Sequence, residues 1–530
     1  MIRESYKEAS LARVNDKIRT FDLVMLNSML NCGDYAIRDP KVKMEKRDKF
    51  QGVKTIAGNL LICNARMIDG TEGPIREGVS ILIHKGQIEK IGENISAEGT
   101  PLLNVNGAYV LPGLIDSHVH LMWGPGAVLQ NSEVTTEQNW KNGWGKYYAL
   151  YLKAYLACGV TTILDAGSPS YVVRAIRDYL SENNPGPRYL ALGPFIAPLG
   201  GYGAQMKHTV ATPPEVKERL NDIKVLHTHG IKTSVEKGWH PLGIKYVRHS
   251  PEILKAIKQE ADRRNLPIYV HASCEEDQTT ALKLGVHALT HTLIARREKI
   301  SDEFIKLMKH RGTYQMSTLS TMDAELTYYD TGRLDDPLLA LTSPNVELST
   351  AKDIKKRRLV FSMSLIYALP WPFEMCGRLV KFYQRFPRLS IALLFWPLKL
   401  FNGKKIQKKS IENSKNAIFR LHNAGVPIVM GSDSTYSPTA IYAFHGITSL
   451  REIELLGETG LPPQEAIKAA TLTSAQMLGL DHEIGTIEVG KRADLAIVRE
   501  NPLESLRALR TIQWTVKDGV ARTPKEWMNE

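Results

Sequence analysis

Four segments of the chain end an apolar run in a side chain able to hold a metal. DSHVH carries His118 and His120, PIYVHA carries His271, HALTH carries His291, and PIVMGSD carries Asp433. Residues i and i+2 of a strand point to the same side, so the H-x-H pair can turn both imidazoles toward one cation. A single histidine at a strand end is more often a hydrogen-bonded core residue. Four of them with an aspartate, each at a strand terminus of one pattern, ask for a shared task. Nitrogen and carboxylate donors without thiolates suit zinc, manganese, iron or cobalt, in a hydrolytic rather than a structural role.

Such a cluster needs elements that bring distant segments together. From Asn59 onward, LLICNARMID, VSILIHKGQIEKIG and LLNVNGAYVLPG read as short strands, with a hairpin turn at HKGQ. The same style returns in GTIEVGKRADLAIVRE and TIQWTVKDGVAR, which predicts one small β-sandwich domain built from both chain ends, residues 58–112 and 479–530. Between them strand-like runs alternate with helical patterns. TTILDAG, RYLALGPFI, GIKTSVE, PIYVHA, HALTH and PIVMGSD are interleaved with helices expected near 170–183, 214–229, 250–264, 277–284 and 410–424. This alternation predicts an α/β fold, a (β/α)8 TIM barrel over 113–478, with reactive groups at the carboxyl ends of its strands. Residues 1–57 are polar and weakly periodic and read as an amino-terminal extension.

The formal charge of +12 suggests nucleic acid until its location is examined. Of 68 basic and 56 acidic residues, fourteen and two lie in residues 351–410, which leaves 54 of each elsewhere. A nucleic-acid binder needs its basic face on the folded body, so no nucleic-acid partner is expected. The 350–410 insertion also holds ten of the forty aromatic residues, Trp371 and Trp396 among them, and its apolar stretches are broken by Pro370, Pro372 and Pro397. Short apolar stretches flanked by Lys and Arg suit a membrane interface better than a membrane span. A lid or a homo-oligomer contact explains the same composition. The insertion follows the sixth-strand region and precedes the strand carrying Asp433, so it is expected on the catalytic face, where it would favour a lipophilic substrate. Five scattered cysteines, without a C-x-x-C pair, and an amino terminus without an apolar core point to a cytoplasmic enzyme associated with a membrane surface.

LPGLIDSHVHL, LGPFIAPLGGYGA, GVHALTH and the tail PPQEAIKAATLTSAQMLGLDHEIGTIEVGKRADLAIV resemble the metal-dependent amidohydrolase superfamily, in its imidazolonepropionase-like and prolidase-like branch. The resemblance covers about residues 59–345 and 410–525. It implies two divalent metal ions, zinc first among the candidates, bridged by a lysine carboxylated to N6-carboxylysine on the fourth strand. The pattern there is Ile-Lys followed by glycine, which Ile231-Lys232 and Gly238 satisfy, while Glu236 and Lys237 are rivals if the strand is slipped. The metal set implied is His118, His120, Lys232, His271, His291 and Asp433. Where relatives often read G-G-H-G, this chain has Gly200-Gly201-Tyr202-Gly203, so Tyr202 joins Trp123, Tyr246 and Arg248 as a candidate substrate contact.

The expected reaction is hydrolysis of an amide bond of a small-molecule substrate, of N-acyl amino acid or non-classical peptide type, by a metal-activated hydroxide. In it Asp433 moves the proton and His291 holds the second metal. A lactone or other ester needs the same parts. A mononuclear deaminase or imidazolone hydrolase would want a glutamate three residues after His271; Cys274 stands there, with Glu275 and Glu276 beyond. A scaffold that had lost its metal is disfavoured because every ligand position is filled.

Overall fold

The computed structural model describes residues 58–122, 147–204, 208–224, 226–238, 246–293, 299–326, 332–343, 403–434 and 443–529, with a few isolated positions besides. Residues 1–57, Trp123 and nearly all of the basic insertion lie outside the described residues.

Strands from the two ends of the chain share one sheet. β1 (Leu60–Met67), β2 (Arg76–His84), β3 (Gln87–Glu93), β4 (Leu102–Asn104) and β5 (Tyr109–Pro112) meet β16 (Leu495–Val498), β17 (Ile512–Lys517) and β18 (Val520–Arg522) in the order β18-β17-β16-β5-β1-β2-β3, with β4 beside β1. The join is antiparallel, Leu495 opposite Pro112 and Val498 opposite Tyr109. The HKGQ turn is tight because Lys85 and Gly86 both take positive φ (50° and 75°), the two-residue turn whose twist matches paired strands. Leu60, Ile62, Ile81, Ile83, Val110, Leu495 and Val516 form the sheet's own core.

The middle of the chain is a TIM-barrel-type α/β fold. β6 (Leu114–Val119), β7 (Val160–Asp165) and β8 (Arg188–Ala191) form a parallel three-stranded sheet. A short parallel pair follows, β9 (Ala197–Pro198) with β10 (Thr209–Val210). Then β11 (Ile231–Ser234), β12 (Ile268–His271), β13 (Ala288–Leu289), β14 (Tyr314–Met316) and β15 (Ile428–Val429) form a parallel five-stranded sheet in chain order. Parallel bridges stand at both seams between these sheets, Val119 with Ser434 and Ile196 with Thr233. Ser117 N donates to Met430 O (3.0 Å) at one seam and Ile196 N to Lys232 O (2.9 Å) at the other.

Helices return the chain between these strands: Tyr148–Ala157, Ser170–Ser181, Pro213–Lys224, Pro251–Arg264, Glu275–Leu284, Asp302–Arg311 and Gly403–Asn423. Pro251–Arg264 shows how the sequence sets one. Ser250 caps its first turn by accepting from Ile253 N, Pro251 takes the first helical position, and Asn265 ends it in the left-handed region (φ 51°). Its buried side, Ile253, Leu254, Ile257 and Ala261, follows the three-and-four spacing of a helix packed on a core. No helix among the described residues is long and apolar enough to cross a membrane. The basic insertion leaves the chain after β14, one strand later than the sequence indicated. β14 is only three residues long and centres on the buried, polar Gln315, so its apolar signal is weak.

Candidate metal centre

The carboxyl ends of β6 and β15 make the tightest contact. His118 Nε2, His120 Nε2 and Asp433 Oδ1 lie 3.3 Å from one another in all three pairs. Asp433 N donates to His118 O (2.7 Å), and His120 N to Ser434 O (3.0 Å). Gly431 is needed for this approach, since a Cβ there would stand 2.7 Å from His118 Cβ. His291 completes a group in which His118, His291 and Asp433 offer ligand atoms within 4.8 Å of one another. Its ring centroid is 5.1 Å from that of His118 and 4.6 Å from that of His271.

Burial favours the neutral form of His118, His271 and His291. Burial, followed by the Lys232 charge, lowers His118 to about 3. Burial lowers His291 well below its ordinary value, and it lowers His271 even though Glu236 opposes the shift. Burial alone would raise Asp433, but the attraction of the adjacent His118 ring and the bonds from His118 and His120 outweigh it and hold the carboxyl well below its usual range. The result is that His118, His271 and His291 favour their neutral forms around one anionic oxygen. Nδ1 of both His118 and His120 is buried with no hydrogen-bond partner among the described residues, and it is the Nε2 atoms that converge. That donor set fits a divalent cation.

Lys232 lies on β11, 1% exposed, with Nζ 2.8 Å from Thr290 Oγ1. Burial lowers its amine to about 7, against the pull of Asp433. Its two rivals are placed differently. Lys237 is half-exposed and reaches Glu276 at 2.6 Å. Glu236 is buried, its Oε1 accepting from Gly238 N (2.8 Å) and its Oε2 from Ser273 N (3.1 Å). Glu236 Oε2 is also 3.4 Å from His271 Nε2.

The candidate substrate contacts divide. Tyr202 stacks on His271 with centroids 3.8 Å apart, and Tyr246 meets Tyr202 edge-on at 5.8 Å. Arg248 is turned away onto Asp277 (2.9 Å) and Glu276 (3.1 Å). Beyond His271, Cys274 Sγ donates to Asp277 Oδ2 (3.3 Å) and Glu275 accepts from Ser301 N and Oγ.

Three hydroxyls were not read from the sequence. Thr290 holds Lys232, Thr318 Oγ1 is 3.0 Å from His291 Nδ1, and Thr321 donates to Asp433 Oδ2 (3.1 Å). Asp116 was missed as well. It accepts from His118 N (3.2 Å), Ser432 N (2.9 Å) and Ser449 Oγ (2.6 Å), and so ties the H-x-H strand to the turn bearing Asp433. The one available signal was its place in DSHVH.

The family model for the amidohydrolase family matches residues 109–522. The chain belongs to the amidohydrolase family. The family comprises hydrolases acting on carbon–nitrogen bonds and generally binds divalent metals. Among curated relatives, a dihydroorotase from Citrifermentans bemidjiense is 45% identical over 64 residues, 12% of this chain and 15% of that protein. An imidazolonepropionase from Symbiobacterium thermophilum is 37% identical over 79 residues, 15% of this chain and 18% of that protein. The chain thus spans under a fifth of the length of either. A solved Xaa-Pro dipeptidase with bound methionine aligns with a TM-score of 0.63 at 21% identity, over 88% of this chain and all of that one. At that identity the likeness concerns the fold.

Proposed function

We propose that this amidohydrolase-family chain cleaves an amide bond of N-acyl amino acid or non-classical peptide type. The reading takes residues 113–478 as one eight-stranded barrel and residues 58–112 with 479–530 as a β-sandwich beside it. The observation that carries it is the mutual 3.3 Å contact of His118 Nε2, His120 Nε2 and Asp433 Oδ1, with His291 alongside. These residues, with His271 and a carboxylated Lys232, would hold two divalent ions, zinc first among them. Bound divalent ions supply Lewis acidity, which acidifies water and polarises a carbonyl. Lys232 suits the bridging role only as a carbamate, because an ammonium offers no lone pair. Its near-neutral, buried amine is the form that captures carbon dioxide.

The remaining work falls to the protein. The Asp433 carboxylate takes the proton of the attacking water as the new C–O bond forms, then returns it to the leaving nitrogen as the C–N bond breaks. Thr321 keeps Oδ2 of that carboxylate oriented meanwhile. Tyr202 and Tyr246 form an aromatic wall beside His271, which suits an apolar acyl or side-chain group. The basic, aromatic composition of residues 351–410 supports a lipophilic substrate met at a membrane surface, and a homo-oligomer is the other use for that segment.

Metal analysis together with a screen of N-acyl amino acids and dipeptides, with and without detergent, tests the assignment. About two metal equivalents per chain and amide cleavage abolished in Asp433→Ala are expected. One equivalent, with ring deamination and no amide cleavage, would overturn it.

A further inference from the structure

Ten non-glycine residues among those described have positive φ, and Thr318 (φ 42°) is the one β-branched residue in that set. The left-handed region crowds a Cβ that carries two heavy atoms, so asparagine, aspartate and glycine normally fill such places. A strained conformation persists only where its surroundings over-determine it, and it collects at functional sites. Here the surroundings are explicit. Glu452, fully buried on the helix Ile447–Glu458, accepts from Leu319 N (2.9 Å) and Ser317 Oγ through one carboxylate oxygen and from Ser320 N (2.6 Å) through the other. Thr318 N itself donates to Gly431 O (3.1 Å), and Ser320 Oγ to Ser432 O (2.6 Å). The residues on both sides of Thr318 are clamped to one carboxylate, and the turn is clamped to the segment that carries Asp433.

The strained turn delivers the Thr318 hydroxyl to within 3.0 Å of His291 Nδ1. The carbonyl of His291 is fixed separately, by Gln278 (3.0 Å) and Gln315 (2.8 Å), so the backbone is held without the ring being aimed. When Nδ1–H donates to Thr318, Nε2 keeps its lone pair for the space shared with His118 and Asp433. When the proton sits on Nε2 instead, it points into that space. A hydrogen bond to the outer nitrogen of a metal-ligating histidine sets tautomer and ring orientation together.

We propose that Thr318 is a positioning residue that locks His291 into its metal-binding tautomer and orientation, and that Glu452 clamps the strained turn that presents it. The assignment rests on the reading of His291 as a metal ligand, and the test separates the two.

Thr318→Ser keeps the hydroxyl; Thr318→Ala and Thr318→Gly lose it, and only glycine releases the strain. Cobalt affinity, followed by the visible absorption of the bound ion, is expected to fall about 10- to 100-fold in Thr318→Ala and Thr318→Gly and to change less than about threefold in Thr318→Ser. Thr318→Gly should melt about 2 °C above Thr318→Ala, reversing the usual penalty of glycine. Glu452→Gln should lower both melting temperature and cobalt affinity. Equal cobalt affinity in Thr318→Ala and the wild type overturns the proposal, as does a Thr318→Ser variant as weak as Thr318→Ala. Nitrogen NMR of histidine-labelled, metal-free chain supplies an independent readout. The Nδ1-protonated tautomer of His291 is expected in the wild type and a mixture in Thr318→Ala; identical spectra overturn the proposal. A wild type that takes up no cobalt overturns the metal reading instead and leaves the tautomer measurement to decide the role of Thr318.

Discussion

Tyr202 lies flat on His271, the two ring planes within 12° and their centroids 3.8 Å apart. The aromatic face excludes water from one side of the imidazole and restricts its rotation. Tyr202→Phe keeps that face and should retain metal content, with activity changed less than about threefold. Tyr202→Ala removes a largely buried ring, should destabilise by about 3 kcal/mol, and should loosen His271. Dialysis against chelator checks this: the alanine variant should lose its second metal equivalent about tenfold faster than the phenylalanine variant.

Lys232 gives a pH signature. Its amine falls from 10.5 to about 7 in the folded chain through burial, with Asp433 opposing. Between pH 7 and about 10 the unfolded metal-free chain therefore binds more protons than the folded one, so stability rises with pH across that window. Below pH 7 both states are protonated and the contribution is constant and unfavourable. The full effect is on the order of a few kcal/mol. Urea midpoints of metal-free wild type should climb from pH 7 to pH 9.5, and those of Lys232→Met should not. With metal supplied, Lys232→Ala should hold about one equivalent where the wild type holds two, and short carboxylic acids should restore part of the difference.

What the sequence disclosed here has a physical limit. Strand-end histidines stood out because β geometry forces their direction, and the apolar runs before them are long enough to recognise. The choice of Lys232 over Glu236 and Lys237 rested instead on the Ile-Lys and glycine pattern of the resemblance; in the structure Ser234 stands beside His271, Lys232 is buried and Lys237 reaches Glu276. Thr290, Thr318 and Thr321 carry no such mark, since a threonine near a strand end is common and its partner is set by tertiary packing. The pairing of Arg248 with Asp277, 29 residues away, was equally illegible. β14 was the strand not read, because its three residues centre on the buried, polar Gln315 and leave no apolar run to recognise.

Asp116 links His118 to the Asp433 turn through three accepted hydrogen bonds while fully buried. Asp116→Ala leaves the His118 and Ser432 amides and the Ser449 hydroxyl without their partner, which should cost about 3 kcal/mol and most of the bound metal. Burial raises this carboxyl from 3.8 to about 6, against its bonds from Ser432 and Ser449. The folded state therefore holds the proton longer, and stability should decline as pH rises from about 4 to about 6. Asp116→Asn has nothing to titrate and should lack that decline in thermal melts across the same window.

Arg248 tests whether a cation near the mouth is free to take a substrate carboxylate. Its guanidinium is engaged by Asp277, which is fully buried, and by Glu276, which is exposed. Asp277 also accepts from Lys237 N (2.8 Å), so this one carboxylate joins the loop after β11 to the helix after β12. Removing the arginine strips a buried anion of its only charged partner among the described residues. Arg248→Ala should therefore lower stability by about 1–3 kcal/mol, while KM for an N-acyl amino acid rises less than about tenfold. Arg248→Lys should recover part of the stability, because a single nitrogen, Nη1, makes both contacts. A KM increase of a hundredfold or more with unchanged melting temperature would instead make Arg248 the carboxylate contact, with Asp277 as its holder.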